Sequence, residues 1–161
     1  MFRRCVLSLI LICGSSHAAL AQSISPDAAV KRLLPMLIQL SSDSKDLNEM
    51  SLSHVANCDT DRLFVDLVAT IDEAIDVIAD KVDMMRVYAF ISSQHDRARA
   101  GLFIAQEIWS RRKTIDLLIE KLVNTLGASQ LPAGAAVIAN RSKDNIRAAM
   151  SILESTQWPQ P

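Results

Sequence analysis

The residues most able to do chemistry are four aspartates within residues 70–85, TIDEAIDVIADKVDMM. Asp72, Asp76, Asp80 and Asp83 recur at spacings of 4, 4 and 3. On a helix this spacing places the carboxylates along one side, where they either hold a cation or form a solvated face. A Ca²⁺ ion takes about six to eight oxygen ligands, and a straight helix offers one ion only about two carboxylates. Metal binding by this helix alone is the weaker interpretation, so the charges need another partner.

Basic residues that could pair with these aspartates follow later in the chain. Residues 59–83 contain 8 acidic and 2 basic residues, whereas residues 84–113 contain 6 basic and 2 acidic ones. An antiparallel hairpin that turns at residues 92–93 would bring the two stretches level and relieve the repulsion between like charges. In that register Lys113 lies beside Asp72, Arg112 beside Glu73 and Arg111 near Asp76. The predicted charge-paired or interaction face consists of Asp72, Glu73, Asp76, Asp80, Asp83, Arg111, Arg112 and Lys113.

A second arrangement with chemical potential is the pair formed by His54 and Cys58. Four residues separate them, and at that spacing on a helix a thiolate and an imidazolium can pair, as in thiol enzymes. The intervening residues Val55-Ala56-Asn57 match no nucleophile motif. A buried structural cysteine is the alternative and the preferred interpretation, with an intermolecular disulfide as a further one.

Haem or metal ligands are a third possibility. His54, His95 and several methionines are residue types that serve as axial haem ligands inside helical bundles. The chain contains no Cys-x-x-Cys-His attachment motif, and no histidine follows a glutamate by three residues as in di-iron bundles. No cofactor is therefore predicted, and a haem- or divalent-cation-binding bundle is kept as the alternative function.

The N-terminus has the layout of a cleavable secretory signal peptide. Arg3 and Arg4 precede a short apolar run, and Ala19-Leu20-Ala21 places small residues where signal peptidase reads them. The run is too short to span a bilayer. The sequence thus predicts a signal peptide at residues 1–21 and a single domain at residues 22–161. The predicted location is periplasmic or secreted, without a stable membrane anchor after cleavage.

Charge and cysteine content restrict the possible partners. The full chain has 17 basic and 18 acidic residues, and loss of Arg3 and Arg4 with the signal leaves 15 basic against 18 acidic. Such a mildly acidic balance argues against binding to nucleic acid. Cys58 is the one cysteine outside the predicted signal, so no internal disulfide is expected and the hydrophobic core must stabilise the domain.

The elements that would position these residues are helices throughout. There is no proline between Pro35 and Pro132, and only Gly101 interrupts the chain between Gly14 and Gly127. Hairpin turn signals are absent and aromatic residues are scarce, which disfavours strands. The prediction is an all-α, single-domain bundle of four to five helices, with a long antiparallel helical hairpin at about 60–91 and 94–126.

The helix boundaries follow from caps and from apolar spacing. Ser25-Pro26-Asp27 predicts a helix start, and that helix is expected to reach about Leu40. A loop at 41–44, a short helix at 45–56 and a last helix within 133–155, interrupted near 140–142, complete the prediction. Ser93 and Asp96, three residues apart, form a capping-box pattern at the start of the second hairpin helix. Gly127 is expected to cap the end of that helix in the left-handed conformation. The expected buried stripe of that helix is Leu102, Ala105, Ile108, Ile115, Ile119, Leu122 and Leu126.

These observations favour a non-enzymatic binding or interaction protein of the cell envelope, such as an adaptor, a small chaperone or an inhibitor of another exported protein. A helical bundle without a glycine-rich phosphate loop or a Gly-x-Ser-x-Gly motif has its surface as its main functional feature. The alternative is the haem- or cation-binding bundle, and the third hypothesis is the thiol enzyme that uses Cys58 and His54. The expected partner is another exported or envelope protein.

Overall fold

The computed structural model describes residues 23–53, 58–127 and 131–158, and over these ranges the protein is a bundle of four helices. Helix α1 spans Pro26–Ser53, α2 spans Cys58–Tyr88, α3 spans Gln94–Leu126 and α4 spans Ala133–Glu154. The predicted all-α bundle is confirmed, and α2 with α3 forms the predicted long hairpin. Helix α4 packs against both α1 and α3, which closes the bundle. The predicted signal peptide at residues 1–21 lies outside the described residues.

Helix α1 is longer than the sequence suggested. The predicted loop at 41–44 is wrong, because α1 continues without a break to Ser53. Leu33, Leu40 and Leu47 follow one another at seven-residue intervals and are all fully buried. This repeat keeps one apolar side in the core through the whole segment. The burial it provides outweighs the weak helix preference of the serines and of the aspartate between them.

Helix α4 is also continuous, and the interruption expected near 140–142 does not occur. Ala139, Ser142 and Ile146 are fully buried at spacings of three and four, so the buried side of the helix passes directly through that segment. Ile146, Met150 and Leu153 continue this buried side toward the end of the helix.

The turn between α2 and α3 agrees with the predicted capping pattern. Ser93 adopts an extended conformation before the helix, and its hydroxyl accepts a hydrogen bond from the N–H of Asp96. At the other end of α3, Gly127 has φ −73° and ψ −10°, so the predicted left-handed cap is wrong. The helix ends there with the N–H of Gly127 donating to the carbonyl of Val123.

The orientation of α3 differs from prediction at its N-terminal half. Ile108, Ile115 and Leu122 are buried as expected, but Leu102 is 61% exposed. Gly101 and Ile104 face the core instead. The side of α3 that points to solvent therefore carries an apolar residue that the sequence had placed in the core.

The two described ends of the chain lie side by side. Ile24 forms an isolated parallel bridge with Thr156, just before α1 and just after α4. Ile24 is itself buried and belongs to the hydrophobic core. The bundle is thus joined at one end by backbone pairing between its terminal segments.

Candidate functional site

Asp72, Asp76, Asp80 and Asp83 form an acidic stripe on α2, and part of this stripe faces α1. The hydroxyl of Ser44 donates a hydrogen bond to Oδ1 of Asp72 at 2.6 Å. Asp72 and Asp76 line a groove of about 610 Å³ between the two helices, together with Lys45 and Asn48. The opening of this groove is polar, and its acidic wall comes from α2.

Helix α3 lies on the other side of α2. Lys81 follows Asp72 by nine residues, which places it about 180° away around the helix at about 100° per residue. The Nζ of Lys81 is 3.5 Å from Oε2 of Glu107 on α3. The two hairpin helices are therefore close to the predicted register along their axes, but Asp72 points away from α3.

Several charged residues of the predicted face form ion pairs other than the predicted ones. None of the ion pairs within the described ranges joins Asp72, Glu73 or Asp76 to residues 111–113. The pairs that do form are Asp80 with Lys81 at 2.7 Å, Asp83 with Arg86 at 3.3 Å, and Arg112 with Glu154 at 3.3 Å and with Asp116 at 3.9 Å. The role of these residues as an interaction face stays a prediction.

Charge reversal tests the two explanations of the stripe. Replacing both Asp72 and Asp76 with lysine removes the acceptor of the Ser44 hydroxyl, and we expect a loss of about 1 kcal/mol in the free energy of unfolding. Adding Arg111→Glu and Lys113→Glu should restore little of it, because those residues do not face Asp72. Urea unfolding of the double and quadruple variants measures this, and recovery of most of the loss would instead support pairing across the hairpin.

The most extensive buried polar cluster was not predicted from the sequence. Asp43 of α1 is fully buried and accepts hydrogen bonds from Nε and Nη2 of Arg141 on α4. The hydroxyl of Ser142 donates to Oδ2 of Asp43 at 2.8 Å, and Nε2 of Gln39 donates to Oδ1 at 2.8 Å. One carboxylate thus holds α1 and α4 together at mid-length.

The electrostatics of this cluster fit a structural ion pair. The hydrogen bonds to Asp43 raise the pKa of Arg141 above its ordinary value, partial burial lowers it, and the charge of Asp43 raises it again. The side chain of Arg141 is 46% exposed on the outside of the bundle, whereas the carboxylate of Asp43 is fully buried. Every oxygen of Asp43 has a donor, so the cluster has no vacant acceptor for a ligand. The signal that could have revealed it is the leucine repeat of α1, which carries the helix through Asp43.

Lys81 is a second buried charge that the sequence analysis missed. Its side chain is only 2% exposed, and its Nζ donates to Oδ2 of Asp80 and lies near Glu107. Both carboxylates are more exposed than the lysine. The aliphatic stem of Lys81 is therefore buried, and its ammonium group forms ion pairs at the edge of the α2–α3 interface. This residue joins α2 to α3 as Asp43 joins α1 to α4.

The outward side of α3 carries several large apolar side chains. We call Leu102, Phe103, Trp109 and Leu117 the α3 outer face; they are 61%, 55%, 71% and 55% exposed, respectively. They fall within about 120° of the helix circumference and extend over about 22 Å. The buried isoleucines of α3 occupy the opposite side. Single exposed apolar residues are ordinary, whereas several on one side of a single helix are less common.

Basic side chains accompany this apolar group. Arg99 and Lys113 are exposed on the same side of α3, and neither forms an ion pair with any described residue. Arg112, at the margin, lies 5.7 Å from the centre of the Trp109 ring and makes a cation–π contact. The α3 outer face therefore presents apolar surface together with positive charge.

A groove beside Trp109 runs between α3 and the C-terminal end of α4. Its volume is about 260 Å³, and Trp109, Trp158, Ile108 and Leu153 are among its lining residues. Arg112 and Glu154 also line it and form an ion pair across the two helices. The lining is mostly apolar, so the groove can receive one apolar side chain of a partner.

The remaining site hypotheses can be placed only in part. His54 lies outside the described residues, and so does the side chain of Cys58, whose backbone begins α2. His95 is exposed near the start of α3. Within the described ranges no three His, Cys, Asp or Glu side chains are grouped so that they could hold a metal ion. The four helices, over those same ranges, include none with both the length and the apolar content needed to cross a membrane.

These features define an all-α four-helix bundle with two buried charged clusters and an apolar, basic outer face on α3. Comparison of the chain with protein families, with curated proteins and with solved structures finds no match.

Proposed function

We propose that the protein is an exported, non-enzymatic binding protein of the cell envelope and that the α3 outer face binds its partner. The observation that carries this proposal is the exposure of Leu102, Phe103, Trp109 and Leu117 on one side of a single helix. Aromatic residues are enriched in the centres of protein–protein interfaces, where they dominate the binding energy. Trp109 is the central residue of this set and the expected anchor.

The chemistry of the face points to an amphipathic partner that carries acidic residues. Arg99 and Lys113 lie among the apolar side chains without an intramolecular counter-ion in the described chain. An amphipathic helix whose apolar stripe is flanked by aspartates or glutamates would complement both features. Such a segment would lay its apolar residues over Trp109 and into the adjoining groove.

Site-specific photo-crosslinking in the native cell tests this surface. A photoreactive phenylalanine analogue at Leu102 should give a discrete crosslinked product with a partner protein. The matched control is the same analogue at Ile38, which is 72% exposed on α1 and equally apolar. Crosslinks of equal yield and identity at both positions would argue against the α3 outer face as the binding surface.

Substitution within the face should separate binding from stability. Replacing Trp109 with serine is expected to remove the Leu102 crosslink while changing the free energy of unfolding by less than about 0.5 kcal/mol, because the side chain is mostly exposed. Val137→Ser on α4, at a position with 66% exposure, is the control and should leave the crosslink intact. Loss of stability with Trp109→Ser would show that this residue is structural.

Export is tested independently of the partner. The residue pattern at 1–21 predicts removal of the signal, so mass spectrometry of protein from its native compartment should identify a chain that begins at or near Gln22. A mature cytosolic protein that retains Met1 would contradict this prediction and would direct the search for the partner to the cytosol.

A further inference from the structure

The C-terminal segment Ser155–Trp158, which we call the strap, follows α4 and pairs with the segment just before α1. The N–H of Ile24 donates to the carbonyl of Ser155 at 3.1 Å, and the N–H of Gln157 donates to the carbonyl of Ile24 at 2.9 Å. The end of α4 does not depend on these bonds, because the N–H of Ser155 donates back to Ser151 within the helix. Among the described residues, the backbone of the strap is therefore bonded to the other end of the chain through Ile24, just before α1.

Trp158, at the end of the strap, packs against Gly101 of α3. A Cβ at Gly101 would lie only 3.1 Å from Cβ and 3.2 Å from Cε3 of Trp158, so the indole occupies the place of a side chain on α3. Glycine inside a helix is less favourable than alanine, and close approach of the Trp158 side chain explains its presence here. The indole also meets the ring of Tyr88 edge to face, with centroids 5.2 Å apart.

Tyr88, which contacts the indole, has a hydroxyl group whose hydrogen-bonding capacity is not satisfied. The hydroxyl of Tyr88 is buried and makes no hydrogen bond within the described residues. A buried polar group without a partner destabilises the state that contains it. Access of water to this hydroxyl after movement of Trp158 would offset part of the aromatic contact that is lost.

The strap also forms one wall of the groove beside Trp109. Trp158 and Thr156 both belong to its lining, together with Trp109. The position of the strap therefore sets the width of an apolar groove that adjoins the α3 outer face.

We propose that the strap is a conformational device that releases Trp158 from Gly101 while the four helices remain folded, and that its release widens the groove beside Trp109. The equilibrium between the docked and the released strap is a property of the folded protein and does not require a partner. Its consequence for partner binding, namely tighter binding when the strap is released, rests on the function proposed above. Loss of the backbone hydrogen bonds between Ile24 and the strap, by a change on either side of this pairing, shifts the equilibrium toward the released state.

The chain has only two tryptophans, so Trp109→Phe leaves Trp158 as the single reporter of the strap. In that background, Gln157→Pro removes the N–H that donates to Ile24 and should lower the ratio of docked to released strap about five-fold. Gly101→Leu places a side chain where the indole of Trp158 packs and should release Trp158 more completely. Lys121→Leu, at an exposed position twenty residues further along the same helix, is the matched control.

Release is expected to red-shift the emission of Trp158 and increase its quenching by acrylamide, with helical circular dichroism unchanged. Binding of the apolar dye 8-anilinonaphthalene-1-sulfonate should rise in the same variants, since the groove is wider. If Trp158 becomes exposed only together with loss of helix, or if neither variant changes its emission, the proposal is overturned. Should Gly101→Leu fail to fold, Gln157→Pro decides alone.

Failure of this inference is distinguishable from failure of the proposed function. Unchanged Trp158 emission in folded variants overturns the strap even if the Leu102 crosslink forms. Absence of that crosslink leaves the fluorescence result, and hence the release equilibrium, unaffected.

Discussion

Replacing Asp43 with alanine is expected to lower the free energy of unfolding by about 2–4 kcal/mol. The carboxylate is fully buried and accepts hydrogen bonds from Arg141, Ser142 and Gln39. Its removal leaves the hydroxyl of Ser142 buried without an acceptor, and the contact between α1 and α4 loses its polar centre. The retained guanidinium is partly exposed and can be hydrated, which keeps the expected loss below that of a fully sealed pair.

Urea unfolding at neutral pH measures this loss. Glu49→Ala, which removes an exposed ion pair with Lys45 on the same helix, is the control and should change stability by less than about 0.5 kcal/mol. A triple apolar replacement, Asp43→Leu with Arg141→Met and Ser142→Ala, should recover a large part of the loss, because no fully buried polar group of the cluster then lacks a partner and the half-buried amide of Gln39 can be hydrated. A loss for Asp43→Ala as small as that of the control would contradict the role assigned to the cluster.

Replacing Lys81 with alanine is the second substitution with a large expected effect, about 2–3 kcal/mol of destabilisation. Only 2% of the side chain is exposed, so truncation leaves a cavity where the aliphatic stem packs between α2 and α3. The carboxylates of Asp80 and Glu107 reach solvent and can be hydrated after the lysine is lost. Most of the loss should therefore come from packing.

Lys81→Met separates the packing contribution from the charge contribution. Methionine has a similar length and restores the buried volume without the charge, so thermal unfolding should show a stability within about 1.5 kcal/mol of the native protein. Glu107→Gln, which weakens the ion pair and keeps the stem, should have a still smaller effect. If Lys81→Met is as destabilising as Lys81→Ala, the ion pairs rather than the stem stabilise this interface.

The two clusters show how four long helices can be held in one arrangement. Asp43 links α1 to α4, and Lys81 links α2 to α3, so each polar contact connects a pair of helices that the apolar stripe alone would leave free to slide. A buried polar group that needs one partner disfavours other registers of the packed helices. This specificity is the expected structural benefit of the two charges.

Leu102 shows where the prediction of the candidate site failed. Apolar spacing assigned it to the buried stripe of α3, but the helix is rotated so that Gly101 and Ile104 face the core. The presence of a glycine on the core side had no explanation in the sequence, since its reason is the Trp158 side chain packed on it from the other end of the chain. The α3 outer face could therefore not be recognised before the position of the strap was known.

The amino-acid sequence by itself determined the class of fold, the α2–α3 hairpin and the capped turn at Ser93, because these depend on local spacing, on proline and glycine placement and on hydrogen bonds between near neighbours. Only the tertiary structure decided which neighbour each side of a helix meets. The aspartates of α2 lie on one side as predicted, but Asp72 meets α1 through Ser44, while Lys81 on the opposite side meets α3. Spacing defines positions around a helix axis relative to one another, whereas the direction of the neighbouring helices follows from packing of the whole core. The burial of Asp43 follows for the same reason, since its partners lie 98 and 99 residues away.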